Sequence, residues 1–479
     1  AIGKAAINVA DTESNNLAVG QNALAGAIAG GEYNVAVGNY SLDALTSGDA
    51  NTVIGYNAGG ALTAATNNVI IGHLAGDALQ TGSSNTIIGD NAVGVGVLTG
   101  GSNTVMGRNA GEDLTSANNN VIIGFDASKQ GTSGENNVVI GTNAQGSGIA
   151  TGNNNVVLGY GAGFDMTSGA DNVAIGVNAG KEITIGTYST LVGRNAGAEM
   201  IEERLTAVGY YAGGNTTGNL NNYFGFNCGS GNTSGTNNVA FGYNALYQPD
   251  TETHNLAIGN AALGGAIAGG EYNVAIGNNA LDALTSADNN TVMGYEAGGA
   301  LTTGGENVII GSYAVSTGVL TGTQNIAIGR LAGQDLTSAS RNVIMGWSAA
   351  KQSTTGADNV VIGHDANGTG ILTGAANTIV GTDAAKALTS GHSSVIIGQN
   401  TGAALTTGHS VVFVGQAAGD GHDTETHNVA VGREALGGAI AGGEYNVAIG
   451  NYSLDALTSA DACVAVGYQS GSAITTGAN

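Results

Sequence analysis

Apolar and polar positions in this chain alternate within a short phrase that returns from end to end. "NNVIIGHLAG" begins at Asn67, and variants follow as "NTIIGDNAVG" from Asn85, "NVVLGYGAG" from Asn155, "NVAIGNNAL" from Asn273 and "NVIMGWSAA" from Asn342. Within "NVxIG" the β-branched residues fall two apart, the period of a strand with one face turned to a core. The glycine that follows permits a sharp corner or a positive φ. The next Ala-Gly pair allows close backbone approach, "LT" begins a second short strand, and "TSGxN" is turn chemistry. Each phrase thus predicts one small coil.

With the glycine that closes each "VxIG" as a marker, the phrase occurs 28 times from Gly3 to Gly467, at intervals of 16, 17 or 18 residues. Longer phrases are copied in whole repeats: "GAIAGGEYNVA" starts at Gly26, Gly265 and Gly438. Coils stacked ~4.8 Å apart demand such quantisation, because a partial coil would turn buried side chains outward. The expected fold is all-β, a parallel β-solenoid of about 27 coils running as one continuous array over residues 1–479. Asn68 is expected to be a rung hydrogen-bonded to its equivalents above and below, Val69 and Ile71 core residues, and Gly72 the corner. The same roles fall to Asn172, Val173, Ile175 and Gly176, and to Asn273, Val274, Ile276 and Gly277. Residues 181–231 depart from the pattern: intervals shorten to 16, and "AEMIEERL" places Glu199, Glu202, Glu203 and Arg204 at a turn. A local bulge is expected there.

Composition narrows the core. The chain is 42% hydrophobic but only 5% aromatic, and 84 of its 479 residues are glycine. What is buried must therefore be mostly Ala, Val, Ile and Leu. Roughly four modest apolar side chains per coil are little to set against ~1–2 kcal/mol of ordering entropy per residue. Sharing a core among three chains would raise the burial, so a homotrimer is expected. Eleven Lys and Arg against 35 Asp and Glu give a formal net charge of −24. Such a surface repels phosphate backbones and anionic headgroups, and no apolar run approaches the ~18 residues that span a bilayer. Nucleic-acid binding and membrane insertion are not expected. Cys228 and Cys463 sit in small-residue slots of the repeat and cannot form a disulfide framework.

Candidate chemistry is sparse. No nucleophile elbow, P-loop or Cys-His constellation stands out, so no catalytic residue and no cofactor is assigned. "GHDTETH" supplies His422, Asp423, Glu425 and His427 as the only metal-ligand candidates; the other copies of the phrase lack these histidines, and solvation is the default reading. Asp43, Asp77, Asp113 and Asp165 are scattered acids at turns. The most informative variable position follows the marker glycine. It holds Tyr56, Phe125, Tyr160, Tyr243, Tyr295, Arg330 and Trp347 among other large residues, a variety that a thin core would not accept. These are expected to form an outward stripe able to dock a glycan or a protein, or else to cover neighbouring turns.

The string "NVAIG", present at Asn172–Gly176, Asn273–Gly277 and Asn446–Gly450, resembles the head repeats of trimeric autotransporter adhesins. The longer form with "LTTG" or "LTSG" resembles arrays in bacteriophage tail fibres. The resemblance covers the whole chain and implies a left-handed parallel β-roll with three chains about a common axis; the repeat here is about three residues longer than the usual adhesin head repeat. It implies a non-enzymatic fibre segment at a virion surface that mediates host attachment. A bacterial surface adhesin or extracellular filament subunit is the alternative, and a polysaccharide-degrading β-helix enzyme a third reading that the regular turns disfavour. The partners expected are the chain itself, as trimer or filament, and a cell-surface glycan or protein receptor. Joining the tail "TTGAN" to the head "AIG" nearly restores the repeat, so the sequence is expected to be a window of a longer array.

Overall fold

The computed structural model describes residues 1–7, 9–10, 15–200, 204–248, 251–265 and 269–476. The chain divides into two compact units, Ala1–Asn237 and Asn238–Asn479. Each is a parallel β-solenoid, and no helix occurs among the described residues. In the first unit Leu17–Val19 pairs with Val35–Val37, and the ladder passes through Thr52–Ile54 and Val69–Ile71 as far as Asn222–Phe224. In the second it runs from Val239–Phe241 to Val464–Val466. Register is strict: Val69 lies beside Thr86, Ile70 beside Ile87 and Ile71 beside Ile88. The density of Gly, Asn and β-branched residues explains why the chain does not coil into helices.

The strand phase is opposite to the expected one. Ile70, Ala174 and Ala275, the middle residues of their strands, are fully buried, whereas Val69 is 36% exposed and Ile71, Val173, Ile175, Val274 and Ile276 are half-buried. Alternation sets this: Asn68 and Ile70 share the inner face, so Val69 and Ile71 must share the outer one. The interior of a 17-residue coil is filled by the middle strand residue, the Ala of the Ala-Gly pair and the following Leu, as in Ile70, Ala75 and Leu79. A second strand at "LT" is also not formed. That segment contributes single inter-coil bonds, such as Thr46 N–H to Thr63 C=O at 2.8 Å, and otherwise consists of turns.

Asparagine side chains run through each unit as a buried ladder. Asn68 donates from its backbone N–H and its Nδ2 to Asn51 Oδ1, at 3.1 and 3.0 Å, and from Nδ2 to Gly82 C=O at 3.1 Å. Its own Oδ1 accepts the Asn85 N–H at 2.9 Å. Asn172 and Asn273 occupy equivalent rungs. Corner glycines stack on one another: a Cβ on Gly72 (φ 142°) would lie 2.4 Å from the Gly89 carbonyl oxygen, with 2.4 Å at Gly176 and 2.2 Å at Gly277 to the next coil. Two further positions per coil are left-handed without being glycine, as at Asn67 (φ 61°) and Leu74 (φ 55°). Asn tolerates that region best among side-chain-bearing residues, which accounts for the recurrent Asn two places after the corner.

Through the short coils the register holds, Val173 beside Thr190, Thr206 and then Asn222. Glu202 and Glu203 lie outside the described residues. Glu199 and Arg204 keep inter-coil backbone bonds to Gly214 and Thr187, each 2.9 Å. The asparagine ladder changes there to Ser189 and Leu205, and Ser189 Oγ accepts the Leu205 N–H at 3.2 Å. Tyr223 is buried in the core, where neighbouring strands carry Ala or Leu, with Gly213 and Gly229 against its ring and Asn232 donating to its hydroxyl. Cys228 is buried in the alanine slot, and neither it nor Cys463 forms a disulfide.

Candidate binding surface

The left-handed corner glycine and the left-handed residue two places on hold the residue between them on a convex edge. Tyr56, Phe125, Tyr160, Tyr243, Tyr295, Arg330 and Trp347 all project outward there, with Tyr160 the most exposed of the aromatics at 56%. The coil repeat of ~4.8 Å is close to a ring-stacking distance, so rings on successive coils meet. Tyr56 stacks on His73 at 5.7 Å and takes Tyr40 edge-on at 5.9 Å. His73 Nδ1 meets Asp90 at 2.8 Å, Arg108 lies 3.6 Å from the same carboxylate, and its guanidinium sits 5.7 Å from the Phe125 centroid. Tyr210 stacks on Phe226 at 4.8 Å. In the second unit Tyr295 meets Tyr313 edge-on at 5.3 Å and Trp347 lies 4.5 Å from His364. A hydrogen bond to Glu296, reinforced by its charge and by Tyr313, pushes the Tyr295 hydroxyl up to about 12.

These contacts limit what the stripe can do. Rings stacked on one another turn their edges, not their faces, to solvent. Tyr160 is the exception, because its neighbours in the column are Thr142 and Val177 and no ring partner meets it among the described residues.

The sequence reading missed a second aromatic column. His392 stacks on His409 at 4.4 Å, His409 meets His427 edge-on at 5.5 Å, and His427 stacks on Tyr445 at 4.9 Å. All four sit one or two residues before a ladder position, at spacings of 17 or 18, and that spacing was the available signal. It removes His427 from the metal candidates. His422 lies in the interior with its ring 4.8 Å from Phe413, and the exposed Asp423 accepts the Thr406 hydroxyl. The three do not converge, and no group of three or more His, Cys, Asp or Glu among the described residues is placed to hold a metal ion.

Buried charge is concentrated at the same phrase. Burial drives His422 down to about 4, against an opposing pull from Glu425, and neither ring nitrogen has a partner among the described residues. Burial pushes the Glu425 carboxyl up, but backbone N–H donors, Gly442 at 3.0 Å and Asp423 at 2.9 Å, together with the charge of His422, bring it below its ordinary range. Burial raises Asp43, Asp77 and Asp113. No family model and no curated protein matches the chain.

Proposed function

We propose that the chain is a structural and adhesive fibre segment that works as a self-associated assembly, a homotrimer, at a virion surface. One observation carries the reading: the outer face of the strand ladder is apolar at every described coil. The third strand residue runs Val37, Ile54, Ile71, Ile88, Met106 and onward in the first unit, and Phe241, Ile258, Ile276, Met293 and onward in the second, with no polar interruption. Ile54, Met106, Leu158, Met293 and Ile449 are 36–43% exposed in the single chain. Isolated soluble chains rarely leave so long an apolar band in water, and a second and third copy of the same ladder would cover it. The resemblance to tail-fibre and adhesin-head repeats supports the same reading, with a bacterial surface adhesin as the alternative on identical physics.

Light scattering on the purified chain tests the assembly. A trimer that dissociates when Ile71, Ile88, Ile123 and Ile140 are changed together to Asp is expected; a wild-type monomer would sink the proposal. Retention of the labelled chain on intact cells, lost on dissociation, tests the adhesive role.

A further inference from the structure

One coil breaks the outer surface in a way its neighbours do not. Two places after the corner, where the coils on either side carry Asn143 and Asn178, this coil carries Gly161. The missing side chain leaves an open groove of about 150 Å³ lined by Asn143, Tyr160, Gly161, Phe164, Asn178 and Lys181. Phe164 stands where the coil before has Gly146 and the coil after has Lys181. The groove thus has two rings flanking a glycine floor, a carboxamide at each end and an ammonium group at one end.

None of these groups is spent on the protein. Elsewhere in the same column Asn57 donates to Asp77 at 2.6 Å and Asn109 to Asp126 at 2.9 Å, but Asn143 and Asn178 make no side-chain hydrogen bond among the described residues. Tyr160 has no ring partner. The nearest carboxylate to Lys181 Nζ is Glu182 at 3.9 Å, too long for a hydrogen bond. The other nearby acid, Asp165, is engaged by the Ser147 hydroxyl.

We infer that this groove binds a single acidic pyranose, a sugar ring that carries a carboxylate, as part of a longer glycan. A cavity near 150 Å³ admits one six-membered ring. The negative faces of Tyr160 and Phe164 attract the weakly positive C–H edge of a pyranose, the two carboxamides match its hydroxyls as donors and acceptors, and Lys181 pairs with the carboxylate. The chain's net charge of −24 does not forbid this, because charges beyond ~8 Å are screened at physiological salt. The inference rests on the adhesive reading and narrows it to one site and one ligand class.

Titration of the whole chain with methyl β-glucuronide and methyl β-glucoside, followed by saturation-transfer NMR, tests it. Gly161→Asn restores the residue that neighbouring coils hold at φ near 55°, so it folds and fills the groove. The uronide is expected to bind and the neutral glycoside to bind roughly tenfold or more weakly, as loss of a charged hydrogen bond implies. Lys181→Gln should erase that preference, and Gly161→Asn should abolish the signal. Equal binding of both glycosides, or a Gly161→Asn chain that binds like wild type, overturns the inference, as does no saturation transfer at millimolar glycoside. Cell retention of the same variants separates the two claims. Loss of glycoside binding with cell retention intact refutes the groove alone, whereas glycoside binding without cell retention refutes the broader adhesive reading.

Discussion

Asn68 satisfies four hydrogen-bonding groups with one side chain and its own N–H, all inside the coil. Replacing it by Ala leaves the Asn85 N–H and the Gly82 carbonyl buried and unpaired, at about 1–3 kcal/mol each. Asn68→Ala is therefore expected to lower unfolding stability by about 3 kcal/mol. Asn68→Ser should cost less, because Ser189 shows that a hydroxyl still accepts the next N–H. Urea midpoints for the two variants check this, and equal losses would refute it. His422 occupies the slot that Leu405 fills one coil earlier. Its folded-state value near 4 lies below the ordinary 6.5, so the unfolded chain binds more protons between those values. Stability is then complete above about pH 6.5 and falls toward pH 4, by on the order of 3 kcal/mol. Glu425, held below its ordinary range, adds a loss at lower pH as it protonates. His422→Leu should remove the upper window and leave the lower one, read from thermal melts across pH 4–7.

The strand is where sequence and structure part. Its existence, position and stacking register are legible from "NVxIG" and the spacing of the glycines, and so is the ladder role of Asn68. The phase is not. Val and Ile are constant on the outer face, while the inner residue varies among Ala, Val, Ile, Leu, Tyr and Phe, so apolarity alone points to the wrong face. Volume explains the inversion, since a coil this narrow needs an inner residue fitted to its neighbours. Tyr223 against Gly213 and Gly229 shows that fitting. The Tyr160 groove was equally hidden, because it depends on what Gly161 lacks relative to coils 17 and 18 residues away. The two strand faces give a direct test in one coil. Ile70→Ala should cost about 2–4 kcal/mol as a core cavity. Ile71→Ala should change the monomer's stability by less than about 1 kcal/mol while weakening self-association. Denaturation at high dilution and sedimentation at high concentration separate the effects, and equal folding losses at the two positions would contradict the assigned phase.

At the scale of the whole molecule, length is a sum of coils. Each coil contacts the one before and the one after, so stability accumulates from nearest-neighbour terms, and the chain tolerates changes of length only in complete units. Removing residues 68–84 joins Asn67 to Asn85, so that Asn51 Oδ1 can take the Asn85 N–H it would otherwise give to Asn68. The inner Val53 then meets Ile87 instead of Ile70, and the corner Gly55 meets Gly89, each a like-for-like exchange. Such a chain should unfold cooperatively with a melting temperature within about 5 °C of wild type. Removing residues 68–75 takes out a rung, the strand and its corner but keeps the rest of the turn. Leu79 would then have no strand of its own coil to pack on, and the buried edges of the Thr52–Ile54 and Thr86–Ile88 strands would lose their partner. That chain should lose protected amides in the flanking coils by hydrogen exchange, although it is the smaller deletion. If it instead kept wild-type protection while the 17-residue deletion lost it, stacking in register would not be what holds the coils together.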